Sequence, residues 1–152
     1  MNDFHPDFTH DRLCHSDTAQ KCGITNCCPA DLLANLASLS CLMGAVQALF
    51  APHPIDITSG YRCPELNARV GGVDTSQHTL GLAADWVCPE AGTPWRLAQT
   101  VAQSGIEFDQ LILEFNRWVH ISAAPQDRPA RREILSIFSS AEGYLSGLHK
   151  RE

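Results

Sequence analysis

Hydrophobic and polar positions along this chain change period several times, and each change marks an element. Residues 1–29 hold no sustained period, with short helical turns expected around 9–22. From Pro29-Ala30 to about Phe50 the chain is apolar, interrupted by Asn35, Ser38, Ser40 and Gln47. Those interruptions predict a buried amphipathic helix, not a membrane span, and proline suits its first turn. Pro52 and Pro54 end it. Residues 55–58 alternate like a strand, 64–70 fit a short helix closed by Gly71-Gly72, and 83–88 read as a strand. Thr93-Pro94 supplies an N-cap and a first-turn proline for a helix to about Ser104, with Gly105 as its stop. Residues 110–115 and 118–122 form two strands joined by a very short connection, and 132–138 a further strand. With no repeat and no linker, residues 1–152 read as one domain. Mixed helices and strands with antiparallel pairing give the α+β class, a small antiparallel sheet with flanking helices.

Strand faces then point to chemistry. In AADWV, Ala83, Asp85 and Val87 share a face. A carboxylate inside an apolar strand is costly unless it is paired or bound to a metal. Upstream, His78 sits in the glycine-flanked loop of SGYRCPELNARVGGVDTSQHTLGLAADW. Two such ligands need a third, because three protein ligands and an open position make a catalytic zinc site. His5, His10, His15 and His149 lie near the termini in polar context, and His53 lies between prolines. Only His120, in RWVHIS, falls inside a strand of alternating pattern, with Trp118 and Ser122 on its face. His78, Asp85 and His120 are therefore the candidate triad. By pattern alone a strand histidine is more often a packed core residue, and the spacing H-x6-D is weak by itself.

A catalytic zinc also needs a base for its water, and Glu114 is the candidate. Its orientation rests on turn parity. A two-residue loop at 116–117 pairs Glu114 with Val119 and turns it away from His120. A three-residue loop at 115–117 pairs it with Trp118 and puts it on the face of His120. An odd-length connection or a bulge is expected, and Asn116 tolerates the left-handed backbone such turns use.

Composition narrows the function classes. The net charge is −6 and the pI about 5.6. The nearest thing to a basic stripe is Arg128, Arg131 and Arg132, which argues against nucleic acid as a partner. MNDFHPDFTHDR shows no secretory pattern, so a cytoplasmic protein with its seven cysteines mostly reduced is expected. Cys14, Cys22, Cys27 and Cys28, with His15, lack the paired CxxC spacing of a zinc ribbon and read as small buried side chains.

SGYRCPELN, VGG and SQHTLGLAADW, followed by DQLILEFNRWVHIS, resemble the zinc D-alanyl-D-alanine peptidases. These share a superfamily with lysostaphin-type peptidases and the hedgehog signalling domain. The likeness spans roughly residues 8–137. It implies a hedgehog/DD-peptidase fold, one zinc ion on His78, Asp85 and His120, and Arg62 and Ser76 holding a substrate carboxylate or neighbouring peptide group. Many members carry the catalytic acid three residues before the last histidine. That position is Arg117 here, and Glu114 instead matches the hedgehog spacing. Asp109 is a distant reserve, better suited to a loop or cap. Trp118 is expected either to wall the cleft beside the metal or to pack on the sheet.

The implied substrate is a peptidoglycan stem or cross-link peptide, cut at D-Ala-D-Ala or, as in related phage endolysins, at L-Ala-D-Glu. A monomer made in the cytoplasm is expected, released to the wall if phage-encoded. Two rivals differ in class: a non-catalytic zinc domain that binds a partner, as hedgehog does, and a mononuclear iron oxygenase, for which the His-to-Asp spacing is wrong.

Overall fold

Six strands make one sheet: β1 (Asp56–Ser59), β2 (Ala83–Val87), β3 (Gln110–Glu114), β4 (Trp118–Ser122), β5 (Glu133–Ile137) and β6 (Tyr144–Ser146). The computed structural model describes residues 3–151. Spatially the strands run β1-β2-β4-β3-β5-β6. Every neighbouring pair is antiparallel except β3 and β5, which are parallel. The sheet is mostly antiparallel, as expected for an α+β fold of this kind, and that one pair is its parallel exception. Side-chain alternation reports the faces of a strand and says nothing of its direction, so the pattern could not reveal it. Strand β6 was not anticipated, because three residues are too few to show alternation.

The first helices fall where short turns were expected: α1 (His10–Cys14) and α2 (Asp17–Cys22). Each is capped by a hydroxyl, Thr9 accepting from the Arg12 N–H and Ser16 from the Ala19 N–H. A 3₁₀ turn, Ala30–Leu32, leads into α3 (Leu33–Phe50). Next come α4 (Pro64–Arg69) and α5 (Pro94–Ala102), the latter capped by Thr93 accepting from the Arg96 N–H. Helix α5 stops short of Gly105.

Helix α3 differs from its expected amphipathic form. With its leading turn it is long and apolar enough to cross a membrane by length and composition. In this fold Leu36, Leu39, Met43 and Val46 are buried, while the exposed positions Cys41, Ala45, Ala48 and Leu49 are apolar rather than charged. Core contact fixes its orientation. Leu36, Leu39, Met43 and Val46 join Leu97, Ala98 and Val101 of α5 against Ala84, Trp86, Leu111, Val119 and Ile121 of the sheet. Each large apolar side chain buried there contributes about 1.5–3 kcal/mol, so this face holds the fold together. The opposite face of β2, β3 and β4 is left for polar groups.

One close contact ties the segment before α4 to α1. The Tyr61 N–H donates to the Leu13 carbonyl at 2.8 Å. A Cβ on Gly60 would run into that same carbonyl oxygen, so glycine is needed for α1 to approach so closely. The arginine run is engaged inside the fold. Arg132 donates to the carbonyls of Ala102, Ser104 and Ile106 at and just past the end of α5, and Arg128 and Arg131 grip Asp109. All seven cysteines are free thiols. Burial pushes the Cys14 and Cys28 thiols up to about 11, which keeps both protonated at neutral pH.

Candidate metal centre

Strand pairing brings Asp85 of β2 directly opposite His120 of β4. The third residue comes from outside the sheet. Ser76 caps a 3₁₀ turn, Gln77–Leu80, by accepting from the His78 N–H, and the turn drops His78 onto the polar face. One ligand atom from each of His78, Asp85 and His120 lies within 4.8 Å of the other two, and no other such group of three occurs among the described residues. Of the cysteines near Cys14 that were expected to be small buried side chains, Cys14 and Cys28 are buried but Cys22 and Cys27 are exposed.

Each imidazole is oriented by its far nitrogen. His78 Nδ1–H donates to the Gly60 carbonyl at 2.8 Å, so Nε2 faces inward, 3.3 Å from Asp85 Oδ1. His120 Nε2 meets Gln77 Oε1 at 3.2 Å, so Nδ1 faces inward, 3.1 Å from the same Asp85 oxygen. Ligand atoms on tetrahedral zinc, with bonds of about 2.0 Å, stand about 3.3 Å apart. The donor set, two imidazoles and a carboxylate, and its spacing both fit zinc. All three side chains are sheltered, with exposures of 3%, 13% and 9% for His78, Asp85 and His120. Desolvation pushes the Asp85 carboxyl upward, but the two histidines outweigh it and hold the group below the usual carboxylate range.

The connection between β3 and β4 has three residues, 115–117, and Glu114 pairs with Trp118. Phe115 and Asn116 both adopt positive φ, 56° and 57°. Asn116 was expected to do so; Phe115 was not. Glu114 thus shares the face of His120, its Oε1 lying 3.7 Å from His120 Nδ1. Desolvation, reinforced by the charge of Asp85, raises the Glu114 pKa, against the opposing pull of His120, Trp118 and Arg62. Arg117 is exposed in the turn and away from the centre. Asp109 is fully buried and ion-paired, which removes it as a reserve base.

A cleft of about 330 Å³ opens over these groups, lined among others by Arg62, Ser76, Glu114 and Tyr144. The buried Nε of Arg62 has no hydrogen-bond partner among the described residues. Burial lowers the Arg62 pKa while Asp85 and Glu114 pull it back up. A Cβ on Gly72 would press on the Asn67 side chain and come within 3.1 Å of Arg62 Nη1, so this glycine clears room for the guanidinium. Trp118 does not line the cleft; its indole N–H donates to Glu114 Oε2 at 3.0 Å. A second cavity, about 220 Å³, continues past Arg62 and Asp85, lined by Ser16, Thr58, Ser59 and Tyr61 among others. Gln77 and Tyr144 are site residues that sequence reasoning missed. Gln77 had a signal, its place between Ser76 and His78; Tyr144 rides on the unanticipated β6.

A family model described as Peptidase M15 matches residues 6–122. The chain belongs to this family and is a zinc-dependent peptidase hydrolase. A search of curated proteins returns no match.

Proposed function

We propose that this peptidase hydrolyses a peptide bond of peptidoglycan, in a stem or cross-link peptide of the D-Ala-D-Ala type. The observation that carries the reading is the placement of Glu114 on the same face as the His78, Asp85 and His120 cluster, beside His120. His78 Nε2, His120 Nδ1 and Asp85 would hold one zinc ion. Bound there, zinc would supply Lewis-acid polarisation of the carbonyl and a water acidic enough to ionise near neutral pH.

Glu114 accepts a proton from the attacking water and delivers it to the leaving amine. A carboxyl with a raised pKa suits a group that must both take and release a proton. The Trp118 N–H fixes one carboxylate oxygen and leaves the other facing the centre. Arg62 binds the peptide's carboxylate or a carbonyl, because its unpartnered guanidinium offers donors in a fixed plane. Ser76 uses its oxygen on the His78 N–H and keeps its own proton to donate. A base beside the metal ligands supports catalysis over a binding-only role. Synthesis in the cytoplasm, with release to the wall in the manner of a phage lysin, belongs to the same proposal.

One observation favours a second reading, cleavage inside a stem peptide at L-Ala-D-Glu. The second cavity shares Arg62 and Asp85 with the first, so room for peptide exists on both sides of the centre. Digestion of purified peptidoglycan followed by mass spectrometry tests both, with Glu114→Gln and a chelator as controls. New D-Ala or L-Ala ends identify the bond. A zinc-loaded protein that produces no new ends overturns the proposal.

A further inference from the structure

The geometry points to Gln77 as a positioning residue for His120, acting as the middle member of a chain that begins at buried Asp109. Gln77 stands at the start of the 3₁₀ turn and its side chain reaches across to the sheet. One end of its amide lies 3.2 Å from His120 Nε2 and the other 3.1 Å from Asp109 Oδ2.

The chemistry of the far end fixes the direction of the whole chain. The Asp109 carboxylate accepts and cannot donate, so Gln77 must turn its NH₂ toward it. Gln77 then presents Oε1 to His120, and an amide oxygen also only accepts. The proton of His120 is thereby placed on Nε2, and Nδ1 is left bare on the side of Asp85 and His78. His78 reaches the same end more simply, through the backbone carbonyl of Gly60. A backbone carbonyl cannot flip; a glutamine amide can, unless something holds it.

Asp109 is what holds it, and Asp109 is itself immobilised. Its side chain is fully buried. Arg128 contacts both carboxylate oxygens at 2.6 and 3.0 Å. Arg131 does the same at 3.0 and 2.8 Å, and its backbone N–H adds a third contact at 3.3 Å. Both arginines lie beyond residue 122, where the family match ends. A segment outside the family's matched region therefore sets the ring orientation of a residue inside it.

The inference rests on the reading that His120 binds zinc, and the experiment separates the two. Zinc affinity is measured by chelator competition for the wild type, His120→Ala, Gln77→Met, Asp109→Asn and the Gln77→Met/Asp109→Asn pair. Histidine-labelled, zinc-loaded protein is followed by long-range ¹⁵N–¹H NMR. Gln77→Met, of similar length without hydrogen-bonding groups, is expected to weaken zinc binding about 10–100-fold and to lose the Nε2–H signature of His120. Asp109→Asn is expected to weaken zinc in the wild-type background and to add nothing once Gln77 is methionine. Arg131→Gln, which loosens Asp109 without removing it, serves the same test if Asp109→Asn does not fold. Unchanged zinc affinity and an unchanged His120 spectrum in Gln77→Met overturn the positioning role. Equal zinc binding by the wild type and His120→Ala overturns the metal-site reading beneath it.

Discussion

Asp85 of β2 and Asp109, just before β3, are both sheltered from water, and they are held in opposite ways. Asp109 shows no side-chain exposure and Asp85 only 13%. Both are held below the ordinary carboxylate range, Asp109 chiefly by hydrogen bonds from Arg128 and Arg131. Asp109 meets permanent cations in bidentate geometry, with Gln77 completing its shell. Asp85 meets two imidazoles whose outward nitrogens are already engaged, beside a guanidinium with an orphaned Nε and a glutamate whose pKa is raised. Burial and a depressed pKa are common to both. What separates architecture from a site is whether the donors around the carboxylate are used up.

Removing Asp85 should break the comparison most completely. Asp85→Ala is expected to lose zinc and all peptide cleavage, as metal analysis and product mass spectrometry would reveal, while Asp109→Asn still takes up zinc at saturating metal. Glu114→Gln should come next, lowering kcat by about 10²–10⁴-fold with zinc content unchanged. An active Glu114→Gln enzyme moves the base elsewhere.

Asp109→Asn should instead cost stability. We expect about 2–3 kcal/mol in urea unfolding, below the loss for a fully buried pair because both arginines can turn toward water. The pH dependence has a definite sign. A depressed folded pKa stabilises the protein above the unfolded value of about 3.9, and that stability is lost as pH falls through the folded value. The wild type should therefore lose stability on acidification more steeply than Asp109→Asn. The smallest effect is expected for Trp118→Phe, which keeps the ring and deletes the N–H on Glu114. A fall of about tenfold in kcat, with the melting temperature little moved, would match loss of a hydrogen bond to a charged group.

Much of the site was legible because it lies on strands. Alternation alone put His120 and Trp118 on one face, and turn parity carried Glu114 there with them. Asp85 stood out as a charge in an apolar strand. The remainder depends on reach rather than period. Gln77 spans from a turn to β4 and to Asp109 just before β3, and Arg128 and Arg131 close on Asp109 from a loop. Trp118 was placed on the correct face, yet its indole turns to Glu114 instead of the cleft, a choice of rotamer that sequence does not specify. The parallel course of β5 and the brief β6, which brings Tyr144 to the rim, were hidden for the reasons of direction and length already given.

The outer strands carry one more consequence, for where this protein can be cut. Strand β3, which ends in Glu114, is paired on one side to β4 and on the other to β5. The family match stops at residue 122, before β5 and β6 begin. A fragment trimmed to that boundary would leave the β3 backbone with an open edge, its N–H and C=O groups free to recruit a second chain. Such a piece would retain all three candidate metal ligands and Glu114, and would still be prone to aggregate along the strand that carries the proposed base.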